Sequence, residues 1–286
     1  LFICVVMKVV CNAHYKKSKA FQAQKKSGPM LVLCNHMSAL DFCYFSSPFF
    51  FKKINFVVAE NMKYSKPLFA KMIEGYRCIL KKQYYSDFSC IKNIKRYLDA
   101  GISVALCPEG KVAAEGKTGV IPSSIAKLVK WLGYPVATVV TKGAGLTRPK
   151  WAHTMRRGRV DSYCDMLFTA EEVKALSADE VMDKIKSALY QNEHVDQLES
   201  GVKFHGTRYA EGLERLLYRC PKCGAEFDIT SKGDTLTCGD CKNTVRYSKS
   251  GGLYPVGDSV CPERIDTWFD LEREVVAEEV KNLASE

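Results

Sequence analysis

The sequence predicts an α/β domain, a mostly parallel sheet covered by helices, followed by a small β module built around cysteines. Three observations carry this. Short, fully apolar runs alternate with amphipathic stretches over the first two-thirds of the chain. Capping residues and glycines bracket the amphipathic stretches where helix ends belong. Two Cys-x-x-Cys pairs then fall between residues 218 and 248.

Taken in order, Pro29 to Cys34 (PMLVLC) is the first strand candidate, and Phe56 to Ala59 the second. Ile102 to Cys107 (ISVALC) is the third, and Pro135 to Thr141 (PVATVVT), rich in Val and Thr, the fourth. Ser86 or Asp87 can cap a helix whose apolar face is Phe88, Ile91, Ile94 and Leu98, with Gly101 at its C-terminal stop. Ser123 or Ser124 opens another through Ala126, Leu128, Val129 and Leu132, ending at Gly133. Two capping boxes follow: Thr169-x-x-Glu172, and Ser177-x-x-Glu180 with Val181, Ile185 and Leu189 behind it. The expected organisation is an N-terminal membrane-proximal segment (1–27), an α/β domain (28–195), a linker or helix (196–217), the cysteine module (218–248) and an acidic helical tail (249–286).

The chain has 286 residues, 47% hydrophobic, 26% charged and 11% aromatic, which excludes a disordered polymer. With 19 Gly and 10 Pro and no repeat, a collagen-like reading fails too. Leu1 to Val10 is an apolar run interrupted by Lys8, shorter than the roughly 20 residues a membrane span needs. Charge is uneven. Residues 1–82 carry 14 Lys/Arg against Asp41, Glu60 and Glu74, whereas the last 26 residues hold eight acids and three bases. A basic first part suggests an anionic partner, such as a membrane surface, a phosphorylated metabolite or a nucleic acid. Seven aromatics between Phe42 and Phe56, with Lys52 and Lys53 behind Phe49-Phe50-Phe51, suit a lipid headgroup boundary or equally a buried core helix beside solvated lysines.

Thirteen cysteines, several single within apolar runs (Cys34, Cys43, Cys78, Cys90, Cys107), read as buried thiols in a reducing compartment rather than a disulfide framework. Cys220, Cys223, Cys238 and Cys241 differ: two knuckles separated by fourteen residues supply four thiolates that can close a tetrahedron around Zn²⁺. Four cysteines leave no open coordination position, so the expected role is structural, and the metal would provide folding energy. Iron in a rubredoxin-like site is the alternative metal, and Cys261 reads as a free thiol.

After the first strand comes Asn35-His36-Met37-Ser38-Ala39-Leu40-Asp41. On one regular helix His36 and Asp41 would be about 140° apart and meet poorly. They can meet if His36 sits in the loop and Asp41 in the first helical turn. An imidazole so held can take a proton from a hydroxyl while the carboxylate fixes its tautomer. Ser38-x-x-Asp41 also reads as a capping box. The third strand runs into Pro108-Glu109-Gly110-Lys111, a loop at the carboxyl end of a parallel strand, where α/β sheets put ligand contacts. Glu109 can hold a hydroxyl or orient its neighbours, and Gly110 lets backbone approach a substrate.

Together these blocks resemble the glycerolipid acyltransferase family, in particular 1-acylglycerol-3-phosphate acyltransferases. The family's Asn-His-x4-Asp motif is complete at Asn35, His36 and Asp41, and its hydrophobic strand with Pro-Glu-Gly is complete at Leu106 to Gly110. Its Gly-x-Ile-x-Ile-x-Arg motif is matched loosely by Gly75 to Lys81, and its Val-Pro-Ile-Val-Pro-Val motif partly by Tyr134 to Val139. The resemblance covers residues 28 to about 195. It departs at Lys81 (Arg in the family), Lys111-Val112 (Thr-Arg) and Thr138 (Pro). Lysine offers a point charge where arginine offers a bidentate fork, so phosphate binding by Lys81, Lys82 or Lys111 would be looser.

The resemblance implies a glycerolipid acyltransferase-like fold. It also implies transfer of an acyl group from acyl-CoA or acyl carrier protein to a lysophospholipid hydroxyl, 1-acylglycerol-3-phosphate giving phosphatidic acid. His36 would be the general base and Asp41 its orienting partner. Asn35, Lys81, Lys82, Glu109, Gly110 and Lys111 would bind substrate. No covalent acyl-enzyme is implied, so Cys34 and Cys107 read as packing residues, and no catalytic cofactor is needed, so the zinc stands apart. The aromatic segment 42–56 is a candidate lining for the acyl chain, and the lysines would hold the enzyme to the cytoplasmic face of an anionic membrane, peripherally or through the N-terminal segment. Acylation of another lipid hydroxyl or amine differs only in acceptor. A non-catalytic protein docking partners through the ribbon is a different class. Residues 218–248 hold five bases and four acids, which argues against nucleic acid.

Overall fold

The computed structural model describes residues 9, 12–49, 52–64, 67–83, 85 and 87–285. Most of the segment 1–11, together with Phe50, Phe51 and Ser86, lies outside the described residues. In chain order the first domain runs β1 (Ala13–Lys17), α1 (Lys19–Ser27), β2 (Leu31–Cys34), α2 (Asp41–Ser46), β3 (Ile54–Ala59), α3 (Pro67–Gly75), β4 (Ile79–Lys81), α4 (Phe88–Asp99) and β5 (Ser103–Leu106). It continues with α5 (Ser124–Leu132), β6 (Val136–Lys142), α6 (Ala144–Thr147), β7 (Val160–Phe168), α7 (Ala170–Ala175), α8 (Ala178–Leu189) and α9 (Glu193–Ser200).

Seven strands form one sheet in the order β1-β7-β6-β2-β5-β3-β4. β6, β2, β5, β3 and β4 are mutually parallel; β7 is antiparallel to β6, and β1 is parallel to β7. The four strands expected from the apolar runs are all present. β2 is central because its residues are apolar on both faces. Val32 and Cys34 enter one core with Phe21 of α1 and with Tyr44, Phe45 and Phe49. Leu31 and Leu33 enter the opposite core with α4, α5 and α8, through Ile94, Val129 and Ile185.

The helix starts follow local chemistry. Asp87 caps α4, its Oδ1 accepting from Cys90 N at 3.0 Å; such a cap contributes about 1 kcal/mol. Both capping boxes, Thr169 with Glu172 and Ser177 with Glu180, are formed. Phe88 departs from expectation: it is 72% exposed, and Cys90 takes its place on the apolar face. The aromatic segment resolves toward the core: Tyr44, Phe45 and Phe49 are buried, with Phe42 and Phe56 packed partly against them. Residues 13–27, expected in the N-terminal segment, instead supply the edge strand β1 and helix α1 of the domain.

The cysteine module is a separate antiparallel sheet in the order β11-β10-β9-β8: β8 (Ile229–Lys232), β9 (Thr235–Cys238), β10 (Thr244–Tyr247) and β11 (Leu253–Pro255). β11 extends it past residue 248. The tail is helical, as α10 (Ile265–Ser285). The module does not stand alone. One buried core joins Leu236, Val245 and Tyr247 of the ribbon to Trp151, Phe204, Leu213 and Trp268. Within it the buried guanidinium of Arg156 lies 4.1 Å from the ring centre of Tyr209, 4.9 Å from Trp151 and 5.2 Å from Tyr247. No helix among the described residues is long and apolar enough to cross a membrane.

Candidate active site

β2 ends at Cys34, and the chain turns through Asn35 to Asp41 at the first residue of α2. Asn35 fixes that turn. Its Nδ2 donates to the Thr141 carbonyl and its Oδ1 accepts from Thr141 N, both at 2.9 Å, which pins the end of β2 to β6. Asn35 is therefore committed to backbone and is 1% exposed. His36 stands next, its Nδ1 2.9 Å from Oδ2 of Asp41. Loop and first turn bring the pair together as the spacing requires. The capping-box reading is half realised. Asp41 Oδ2 also accepts from Ser38 N at 2.9 Å, but the Ser38 hydroxyl bonds to Leu40 N.

Asp41 is 2% exposed while the His36 side chain is 26% exposed, so the carboxylate is sealed in and the ring reaches the surface. Burial pushes the Asp41 carboxyl up from its ordinary range, and the His36 contact and the Ser38 amide pull it back down. With Nδ1–H donated to Asp41, the Nε2 lone pair is the ring's base.

The Pro-Glu-Gly loop holds this arrangement from the side. Glu109 Oε1 accepts from His36 N at 2.9 Å and Oε2 accepts from Gly119 N at 2.8 Å. Both oxygens are spent on backbone amides, so Glu109 buckles the His36 turn to the following loop. Of the two roles read from the sequence, orienting its neighbours is the one the geometry displays. Gly110 has φ +71°, a conformation that itself favours glycine, and a Cβ there would meet no protein atom within 4 Å. Lys81, Lys82 and Lys111 are exposed. Lys81 Nζ donates to the carbonyls of Lys82 and Tyr85, and Gln83 ties this segment to the Gly110 carbonyl at 3.3 Å. None of the three lysines is hydrogen-bonded to His36 or Asp41. Burial pushes the thiols of Cys34 and Cys107 well up, which keeps both protonated.

A second layer was not legible in the sequence. Glu193, at the start of α9, is 1% exposed and accepts from Gly145 N at 3.2 Å. A Cβ on Gly145 would lie 2.6 Å from Glu193 Oε2 and 2.8 Å from the Met37 carbonyl, so only glycine lets α6 pack against the His36 turn. Beside it, His194 bonds the Glu115 carbonyl at 2.9 Å. The run Asn192-Glu193-His194 reads as a solvated helix start; the partners that bury it lie far away in sequence.

Burial drives these two groups in opposite directions. It raises Glu193 to about 8, with the charge of Asp41 adding and the Gly145 amide opposing, and it lowers His194 to about 4. A carboxyl raised in the folded state makes stability fall as pH rises from its unfolded value through about 8. The depressed histidine makes stability rise with pH from about 4 up to its ordinary value near 6.5. The two offset below pH ~6.5. Above it Glu193 acts without that offset, and stability should fall by about 2 kcal/mol between pH 6.5 and 8. Glu193→Gln should flatten that decline in a series of thermal melts; an unchanged slope would mean that Glu193 titrates normally.

In the cysteine module the four Sγ atoms of Cys220, Cys223, Cys238 and Cys241 all lie within 4.8 Å of one another. Cys220 and Cys241 are 3.6 Å apart, and Cys223 and Cys238 3.8 Å. A tetrahedron with metal–sulfur bonds of about 2.3 Å has edges of about 3.8 Å, so the cysteines fit a four-thiolate metal site.

Residues 14–142 match the protein-family model described as Acyltransferase. The fold is similar to the crystal structure of the 1-acyl-sn-glycerophosphate (LPA) acyltransferase PlsC from Thermotoga maritima, with a TM-score of 0.54 and 17% sequence identity over 70% of this chain and 79% of that one. A search of curated protein sequences finds no match. The matched span contains Asn35, His36, Asp41 and the Glu109 loop, and the chain shares with PlsC its α/β fold.

Proposed function

We propose that this protein transfers a fatty acyl group from a thioester, acyl-CoA or acyl carrier protein, to the free hydroxyl of a lysophospholipid, with 1-acylglycerol-3-phosphate as the first acceptor to test. The observation that carries the reading is the 2.9 Å contact between His36 Nδ1 and a buried Asp41 inside an acyltransferase-family domain. His36 Nε2 takes the proton of the acceptor hydroxyl as its oxygen attacks the thioester carbonyl. The C–S bond then breaks, and the thiolate leaves with the proton returned by the imidazolium. Asp41 holds the tautomer and offsets the positive ring. Asn35 and Glu109 keep the turn in place, while Lys81, Lys82 and Lys111 supply point charges for the acceptor phosphate. Lysines and arginines of the first 82 residues favour attachment to the anionic, cytoplasmic face of a membrane.

We assign the four-cysteine site to structural Zn²⁺. Supplied there, the ion would add folding energy and take no part in acyl transfer.

Incubating the full chain with labelled acyl-CoA, or acyl carrier protein, and lysophosphatidic acid tests the reaction. Labelled phosphatidic acid is the expected product. Failure with both donors, when another lysolipid or aminolipid is acylated, would move the acceptor assignment; no transfer to any acceptor would overturn the reading.

A further inference from the structure

Glu193 is a buried carboxyl that the acyl-transfer mechanism above leaves unused. Its Oε1 accepts from Gly145 N at 3.2 Å, but Oε2, sealed from solvent, has no hydrogen-bond partner. Among the described residues Glu193 joins no ion pair. The cations on the elements around it are taken: Lys142 at the end of β6 pairs with Asp196 of α9 at 3.1 Å, and Lys117 with Asp270 at 2.8 Å. Glu115, in the same loop as Lys117, faces Arg273 at 3.7 Å, and its carbonyl is bonded by the neighbouring His194. α6 holds no ionisable residue. The remaining neighbour is Asp41, whose Oδ2 already has the His36 ring and the Ser38 amide.

A carboxylate buried without a cation is costly, and two carboxylates in one dry region resist ionising together. Asp41 has an imidazole to balance its charge, whereas Glu193 has only backbone amides of α6. The proton therefore belongs on Glu193. Burial and the Asp41 charge both act in that direction, raising Glu193 to about 8 against the pull of the Gly145 amide.

The packing supplies an acceptor for that proton. Glu193 Oε2 and the Met37 carbonyl lie 2.6 Å and 2.8 Å from the point a Cβ on Gly145 would occupy, so both oxygens crowd one small space. Two bare acceptors so placed repel, and a proton on Oε2 turns the contact into attraction. Met37 follows His36 in the catalytic turn, and that turn is held from its other side by Glu109 on His36 N and by Ala113 N on the His36 carbonyl. Glu193 N also donates to the Gly116 carbonyl at 2.9 Å, in the loop between Ala113 and Gly119. The start of α9 thus meets the His36 turn with a side chain and the flanking loop with its main chain.

We propose that Glu193 is a positioning residue for acyl transfer: as a neutral carboxyl it donates from Oε2 to the Met37 carbonyl and holds the turn that aims His36 at the acceptor hydroxyl. The role rests on the acyl-transfer reading, the proton does not, and the two are tested apart. Loss of the proton replaces the bond to Met37 by repulsion and puts a second negative charge behind Asp41, so turnover falls as pH rises through the Glu193 titration.

Glu193→Gln discriminates, because an amide supplies one acceptor and one donor where the protonated carboxyl has them. In acyl transfer to lysophosphatidic acid, wild-type kcat should decline above an apparent pKa near 8, and Glu193→Gln should lack that decline. Glu193→Met fills similar space without a donor, and should lower kcat about ten-fold or more at neutral pH with little change in KM for the lysolipid. Glutamine should restore kcat to within a few-fold of wild type. The proton itself is read without turnover, by infrared difference spectroscopy of the full chain between neutral and alkaline pH. The carbonyl stretch of a protonated carboxyl should vanish as pH rises in the wild type and be missing in Glu193→Gln.

An alkaline decline that persists unchanged in Glu193→Gln would overturn the proposal, as would a wild type without that infrared band at neutral pH. So would a Glu193→Met protein with wild-type kcat; should that variant not fold, the profile and spectrum of Glu193→Gln decide alone. A chain that shows the band, loses it in Glu193→Gln and acylates no lysolipid would uphold the proton on Glu193 and overturn the acyl-transfer reading together with the positioning role.

Discussion

Replacing Cys220 and Cys223 together by serine is expected to abolish metal binding and to lower the melting temperature by roughly 10–20 °C, because a loss of about 5 kcal/mol shifts a domain of this size by that much. That loss is smaller than the ion supplies to isolated zinc-finger peptides, since the ribbon shares its core with Trp151, Phe204 and Trp268 and is not held by thiolates alone. The same core makes the effect travel. Asp270 of α10 pairs with Lys117 at 2.8 Å, and Asp266 accepts from Asn192 Nδ2 at 2.8 Å. Lys117 lies in the loop that Glu109 buckles to His36 through Gly119. Loosening the ribbon therefore loosens the loop beside His36, and acyl transfer should decline along with stability. Metal analysis of the purified chain should find one zinc per protein, and stripping it with a chelator should reproduce the melting shift. A metal-free protein as stable as the untreated one would refute the structural role.

The second large effect belongs to Asp41→Asn. Asparagine preserves shape but can present its NH₂ to His36, which would favour the tautomer whose proton sits on Nε2 and so remove the base. In a hydrolase triad the equivalent exchange costs about 10⁴-fold in kcat, and a loss of at least ~10²-fold is expected here. The burial of Asp41 sharpens the prediction, because its Oδ2 is 2.9 Å from both the ring and the Ser38 amide on a side chain only 2% exposed. KM for the lysolipid should change little, since Asp41 is sealed behind the ring. A variant within a few-fold of wild-type turnover would mean that the aspartate serves only as the helix-start residue suggested by Ser38-x-x-Asp41.

Much of this arrangement was legible in the sequence, for identifiable physical reasons. The four central strands are apolar on both faces, and such runs announce themselves without alternation. Asp87, Thr169 and Ser177 begin helices because their side chains bond amides only three residues away, a purely local signal. His36 and Asp41 were recoverable because loop and first turn follow directly from the end of β2. The cysteine spacing carried its own geometry.

What stayed hidden depended on distant partners. β1 (Ala13–Lys17) is short and lysine-bearing, as an edge strand is when it is protected from further pairing, and β7 alternates buried residues with Asp161, Tyr163 and Asp165. β4 has three residues and no period to detect. Glu109 reads equally as a hydroxyl ligand or an orienting residue, and only the two distant backbone amides on its oxygens display the second role. Glu193 and His194 look solvated until the Gly116 loop and Gly145 of α6 close over them. Arg156 offers no local sign that three aromatic rings enclose it. Phe88 is the converse case: it has the right spacing for the core, yet α4 is rotated so that Cys90 faces inward.

The most direct test of the account is the initial rate of labelled acyl transfer to a lysophospholipid by wild type and by His36→Ala, with the variant's melting temperature measured alongside. His36 is partly exposed and gives only its ring to the site, since its amide and carbonyl bonds to Glu109 and Ala113 are made by backbone. Alanine should therefore leave the fold intact. The expected result is a folded protein, its melt lowered by no more than about 10 °C for the hydrogen bond lost to buried Asp41, with turnover reduced by at least about 10²–10⁴-fold. A folded His36→Ala protein that transfers acyl groups at the wild-type rate would contradict the mechanism outright.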